Sequence, residues 1–316
     1  MLLGHETAWR EWRKALGGER MHHAWLLAGR RGVGKGSFAF AAACELVGVD
    51  PADAQNHPDI LTLTYAPKDD KEERKRADGK PYEVARSIRI AQVRGMQARL
   101  GTRPTLGDKR AIIIDPADDL ERNAANALLK SLEEPPIGTY FLLVAHSPAR
   151  LLPTIRSRCR VLRFPTVSDA EMDRLLADLS PGADTATRAA AIAAAGGSPG
   201  AALQFVDMEL GKVRQAMDAI LARGDPDFQL RGTLAGLIGA RPDRERIRAV
   251  LELARSAVAQ RLDGAMADPR PVIDTHSELV RLSGEQPTYN FDAGLLAMEI
   301  GTLLANAATA SERADG

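Results

Sequence analysis

The chain predicts a parallel α/β domain followed by an all-helical half, and three observations carry that prediction. Apolar runs alternate with helical patterns through about residue 165, as in a parallel sheet with helices on both faces. A glycine-rich loop, Gly29-Arg30-Arg31-Gly32-Val33-Gly34-Lys35-Gly36-Ser37, separates one such run from a helical stretch. From Asp207 onward there is no strand signal at all.

The first strand is Ala24-Trp25-Leu26-Leu27-Ala28, and Phe38 to Leu46 is the helix beyond the loop. The loop has the G-x-x-x-x-G-K spacing of a phosphate cradle. Gly29, Gly32 and Gly34 free the backbone to turn N–H groups toward phosphate oxygens, and Lys35 adds a point charge. Gly36 stands where a Ser or Thr hydroxyl would meet Mg²⁺, and Ser37 is one residue late. Two roles stay open for the loop, nucleotide binding and architecture.

Ile60-Leu63 is the second strand. The run from Lys68 to Lys80 is almost entirely charged with both signs mixed, and it predicts a solvated, mobile excursion. Ile90, Val93, Met96, Gln97 and Leu100 make a helical stripe leading to a turn at Gly101–Asp108. Its Arg94, Arg99 and Arg103 suit either a solvated face or DNA phosphates, and the solvated face is the expectation.

Ala111-Ile112-Ile113-Ile114 is a buried strand ending in Asp115, the acid that normally completes such a phosphate site. Pro116 follows where a water-activating carboxylate is expected. The segment Asn126-Ala127-Leu128-Leu129-Lys130-Ser131-Leu132-Glu133-Glu134 is a helix stopped by Pro135-Pro136. Strands at Tyr140–Ala145, with His146 at its end, and Val161–Phe164 complete the sheet.

Past Phe164, Ser168-Asp169-Ala170-Glu171 has the form of a capping box, opening a helix with Met172, Leu175, Leu176 and Leu179 at helical spacing. A small helical unit ends near Phe205, and further helices are expected at about 209–223, 228–239, 243–262, 271–283 and 291–310. In the third of these Ile247, Val250, Leu251, Ala254 and Val258 form one apolar stripe, which suits a core or an oligomer seam, with core favoured. The expected domains are 1–165, 166–206 and 207–316.

Bulk properties exclude several classes. With 42 basic and 42 acidic residues the net charge is zero, so no global field draws the chain to nucleic acid or membrane. No apolar stretch reaches the ~18 residues of a membrane span, and Met1-Leu2-Leu3-Gly4-His5-Glu6 lacks the order of a signal peptide, so the cytoplasm is expected. Two cysteines, Cys44 and Cys159, are too few for a disulfide framework or a four-thiolate zinc site.

Several motifs in order resemble one family. They are His22-His23-Ala24-Trp25 before the loop, Asn56-His57-Pro58-Asp59 before the second strand, the N-A-L-L-K-x-L-E-E-P-P helix, Ser157-Arg158-Cys159, and Gly197-Ser198-Pro199-Gly200. Together they resemble the AAA+ clamp-loader family, and within it the delta-prime group of bacterial DNA polymerase III. The resemblance implies an AAA+ domain, a small helical lid and an all-α collar. It implies that Arg158 acts as an arginine finger in the ATP site of a neighbouring gamma/tau subunit, since its planar fork suits β,γ-phosphate oxygens. A surface ion pair is the alternative for Arg158 taken alone.

The departures from the family also carry meaning. Active subunits have Ser or Thr at Gly36, Glu at Pro116, and an Arg near Gly200 or Ala201, and all three groups are missing. His146 lies where such proteins hold a polar residue on the γ-phosphate, although an incidental polar strand end is the expectation. The family's four-cysteine zinc module has no counterpart between Val47 and Gln55, so no zinc is expected. The resemblance thus implies a subunit with little or no ATP hydrolysis of its own, no required cofactor, and weak ATP or ADP binding at Gly29, Gly32, Gly34, Lys35, Ser37 and Asp115. Expected partners are gamma/tau and delta subunits, the beta sliding clamp, and primer-template DNA through weak phosphate contacts. The alternatives are an active ATP-hydrolysing subunit of gamma/tau type and a non-replicative adaptor on the same fold.

Overall fold

The computed structural model describes residues 5–54, 56–262, 268–286 and 292–312, with side chains of the last helix described to 308. The signal-peptide reading of Met1–Gly4, Gln55, and residue 291 of the last expected helix lie outside the described residues. The chain divides into two compact units, Met1–Thr166 and Val167–Gly316.

In the first unit five strands form one parallel sheet: β1 (Ala24–Ala28), β2 (Ile60–Leu63), β3 (Arg110–Ile114), β4 (Thr139–Ala145) and β5 (Arg160–Arg163), in the order β2-β3-β4-β1-β5. Successive side chains point to opposite faces, so each central strand supplies two cores. Leu26, Ile112, Ile114, Phe141 and Leu143 pack beneath α4 (Ile90–Leu100) and α5 (Arg122–Glu133). Trp25, Leu27, Ala111, Ile113, Leu142 and Val144 pack against α1 (Glu6–Leu16) and α2 (Lys35–Val47). Burial on both faces is why these strands read as continuous apolar runs and not as alternating ones.

The charged run at 68–80 requires a correction. It is not an irregular excursion but contains a helix, α3 (Asp70–Ala77), with Asp69 as N-cap accepting from Glu72 N at 3.0 Å. Its acids Asp70, Glu72 and Glu73 lie in the first turn and Arg74, Lys75 and Arg76 in the last, which complements the helix dipole. Glu72 is buried, accepting from Lys75 Nζ at 2.7 Å and Glu83 N at 2.7 Å. Charge sequence order, invisible to composition, ordered this segment.

The connection from α4 to β3 hangs on a buried ion pair. Asp59 accepts from the backbone N–H groups of Thr105 and Leu106 at 2.7 and 2.8 Å. Arg110 donates to the carbonyls of Arg99, Thr102 and Arg103 at 2.8–3.1 Å, with its Nε 3.5 Å from Asp59 Oδ1. Arg99 itself donates to Pro58 O at 3.1 Å, so this member of the α4 arginine set is engaged within the chain.

After β5 comes the helical second unit, with the short α6 (Pro153–Arg156) preceding β5 in the first. The second unit contains α7 (Asp169–Leu179), α8 (Thr185–Ala195), α9 (Pro199–Asp207), α10 (Gly211–Arg223), α11 (Gln229–Ile238), α12 (Arg244–Ala259), α13 (Arg270–Glu285) and α14 (Ala293–Glu312). Ser168 caps α7 in a capping box with Glu171. One apolar cluster runs through the unit from Val167 to Ala307, and the α12 stripe Val250, Leu251, Ala254 and Val258 is buried in it.

A second buried pair locks this unit. Arg231 Nε donates to Asp225 Oδ2 at 2.9 Å, its Nη1 donates to Thr302 Oγ1 at 2.9 Å, and its guanidinium lies 4.0 Å from the Phe228 ring centroid. Its stem fills the space over Gly301, where an added Cβ would lie 2.4 Å from Arg231 Cγ. Gly301→Ala therefore overpacks a buried site, and a loss of about 1–3 kcal/mol is expected. Thermal unfolding followed by far-ultraviolet circular dichroism checks it.

Candidate functional site: a self-filled phosphate loop and a separate arginine

The loop is built by β1 and closed by close backbone approach. Gly29 N donates to Ala145 O at 3.3 Å, and a Cβ on Gly29 would lie 2.3 Å from Phe164 O, so only glycine fits. Gly32 and Gly34 both adopt left-handed backbone, with φ of 77° and 92°. The turn then feeds α2 with its N-terminus at Lys35.

Lys35 is 2% exposed, and its ammonium turns back on its own loop, donating to Gly29 O at 2.6 Å and to Arg30 O. Burial pulls its pKa down to about 8, against the partly compensating charges of Asp115 and Asp118. Asp115 follows the end of β3, and burial holds its carboxyl above the usual carboxylate range. A Cβ at Gly36 would lie 2.6 Å from Asp115 Oδ2. The carboxylate thus stands in the space that a metal-binding side chain at 36 would need.

His146 follows β4 in the same cluster. Burial, followed by the Lys35 charge, pushes its pKa down to about 4, so the imidazole is neutral at pH 7. Its backbone N–H donates to the Asp118 carboxylate at 3.1 and 3.2 Å, and Ser147 N donates to Asp118 Oδ2 at 2.7 Å. Its Nδ1 is buried with no hydrogen-bond partner among the described residues.

The fold brings Gly29, Gly32, Gly34, Lys35, Asp115 and His146 to the C-terminal ends of adjacent parallel strands, where ligands of α/β sheets bind. Ser37 is exposed on the first turn of α2, and the residue facing Asp115 is Gly36. Asp118, which organises the β4 exit, is a member that the sequence motifs do not flag. The acid three residues after Asp115 was the available signal.

The depressed Lys35 value has a stability consequence. The ordinary value is 10.5, so the folded state bears the cost of charging this buried amine fully below about pH 8 and escapes it as pH rises toward 10.5. Lys35→Met is expected to be more favourable relative to wild type at pH 7 than at pH 10. Paired urea melts at the two pH values measure the difference, and a gap that widens toward pH 10 contradicts it.

Arg158 sits elsewhere. It lies between α6 and β5, at the N-terminal end of the sheet, and β5 pairs with β1 with Arg160 opposite Trp25. The phosphate loop leaves the other end of β1, four residues on, roughly 13 Å along the strand. Arg158 Nη1 donates to Thr154 O at 2.9 Å, and Nη2 pairs with Glu133 Oε1 at 2.6 Å. Glu133 closes the N-A-L-L-K-x-L-E-E helix and is a partner that the motif alone did not assign. Beside Arg158, the Cys159 thiol is pushed up to about 12 by burial and stays protonated.

A family model described as DNA polymerase III, delta subunit, matches residues 4–168. The chain belongs to this family. The DNA polymerase III subunit delta' of Pseudomonas aeruginosa is 35% identical over 207 residues, 60% of this chain and 58% of that protein. The DNA polymerase III subunit tau/gamma of Haemophilus influenzae is 31% identical over 163 residues, 51% of this chain and 22% of that protein. The chain spans 49–64% of the length of the curated delta' relatives from Pseudomonas aeruginosa, Bacillus subtilis and Escherichia coli. A solved DNA polymerase III, gamma subunit-related protein from Thermotoga maritima shares the fold, with a TM-score of 0.52 and 15% identity over 93% of this chain and 98% of that one. The fold is that of AAA+ proteins, a parallel sheet with helices on both faces followed by helices. Among the described residues no helix is long and apolar enough to cross a membrane.

Proposed function

We propose that this chain is a stator-like subunit of the DNA polymerase III clamp loader, supplying Arg158 in trans to a neighbouring gamma/tau-type ATPase. The single observation that carries the reading is the division of the site. Arg158 lies at the end of the sheet opposite its own phosphate loop, which supports its acting on a nucleotide held by another chain. The loop, in turn, is filled from within by Lys35 and Asp115 and lacks a hydroxyl for Mg²⁺.

In this reading the phosphate loop is kept chiefly as architecture, hydrolysis by the chain alone is weak or absent, and no cofactor is required. Residues 166–206 serve as a lid and 207–316 as a collar that joins the chain to gamma/tau and delta subunits. The assembly acts on the beta sliding clamp at primed DNA, which the neutral net charge allows only through local phosphate contacts.

Calorimetric titration of the isolated chain with ATP, in the presence and absence of Mg²⁺, tests the loop. The expected result is an affinity that Mg²⁺ leaves unchanged, because nothing at Gly36 ligates the metal. Tighter binding with Mg²⁺, or ATP hydrolysis lost on Lys35→Ala, overturns the reading in favour of an active ATPase.

A further inference from the structure

The ion pair between Arg158 and Glu133 joins the proposed finger to the one conspicuous helix end of the family motif. Glu133 is the last residue of α5, where the helix dipole disfavours a carboxylate, and Glu134 follows it directly. A guanidinium at this helix end offsets both. The pair is solvated, with side-chain exposures of 35% for Arg158 and 48% for Glu133. Solvated pairs of this kind contribute less than tenfold to an equilibrium constant.

A finger acts by delivering positive charge to phosphate oxygens, and a carboxylate at 2.6 Å cancels most of that charge. A competent finger therefore requires the pair to open. Glu133 and phosphate compete for the same fork, and a bidentate phosphate contact is the stronger of the two once water is excluded. Thr154 O can hold Nη1 throughout, since a carbonyl leaves the guanidinium charge intact.

We propose that Glu133 is a latch on Arg158, occupying its guanidinium until the phosphates of a neighbouring subunit's nucleotide displace it. This rests on the finger reading of Arg158 and adds a condition to it: engagement depends on the neighbour being loaded with nucleotide. In the unassembled chain the latch also keeps a free arginine fork from unrelated phosphates.

The test is steady-state ATPase of the chain reconstituted with its gamma/tau-type ATPase partner, over a range of ATP concentrations, for wild type, Glu133→Gln, Arg158→Ala and the double variant. Glu133→Gln keeps the shape and removes the charge. It is expected to raise kcat/KM about two- to fivefold, chiefly through a lower KM, and to have no effect in the Arg158→Ala background. A fall in kcat/KM, no change, or an equal gain without Arg158 overturns the latch while leaving the finger standing. An unchanged rate with Arg158→Ala alone overturns the finger and the latch together. Size-exclusion profiles of each assembly confirm that the variants still associate.

Discussion

Replacing Arg158 by Ala is expected to lower ATP turnover by the reconstituted assembly on the order of a thousandfold, the scale at which supplied arginine fingers act. The isolated chain should barely change. Among the described residues Arg158 pairs with Thr154 O, Ser157 and the half-exposed Glu133, so its loss removes a surface pair worth at most about 1 kcal/mol. That contrast separates a finger from a structural arginine: unfolding curves of the isolated variant overlay those of wild type while the assembly loses turnover. Arg158→Lys should recover little, because an ammonium cannot reproduce the planar fork. An assembly that hydrolyses ATP at the wild-type rate without Arg158 contradicts the assignment.

Asp59→Ala is expected to have the largest effect on stability, about 3–5 kcal/mol, since it leaves a buried arginine without its counter-ion. Both partners are almost wholly enclosed, Asp59 at 0% and Arg110 at 3% exposure. The substitution also removes the acceptor of the Thr105 and Leu106 N–H groups, which hold this connection to the pair. All three tryptophans, Trp9, Trp12 and Trp25, belong to the first unit, so their fluorescence in urea reports that unit alone. A midpoint unchanged from wild type overturns the prediction. Acid should mimic the substitution in part. Burial works to raise the Asp59 pKa, but the two backbone hydrogen bonds and Arg110 outweigh it and bring it below 3.8. A depressed carboxyl stabilises the fold above its ordinary value, and that contribution is lost as pH falls through the lower folded value.

Much of the molecule was legible from residue order. The five strands lie within a residue of the runs that announce them, and the three central ones read as apolar almost throughout because a parallel strand buried on both faces must be. The phosphate loop was legible because left-handed turns and a 2.3 Å backbone approach at Gly29 admit only glycine. Helix α3 was not legible, because the run at 68–80 shows no apolar stripe. Its helix depends on the Asp69 cap and on Glu72 finding Glu83 N eleven residues away. Glu133 was visible as a letter of the motif, yet its role required knowing that the α6–β5 connection passes over the end of α5.

By itself, then, the sequence determined the fold class, the family, and the loss of the metal-binding hydroxyl at Gly36, since each depends on residue identity at a fixed local spacing. Only the tertiary structure decided how the missing groups are replaced and which way the arginine points. Asp115 enters the space beside Gly36 because β3 and α2 meet there, and Arg158 lies at the opposite end of the strands from Lys35 because β5 runs parallel to β1. Chain direction and strand register, which no local motif encodes, separate the phosphate loop from Arg158.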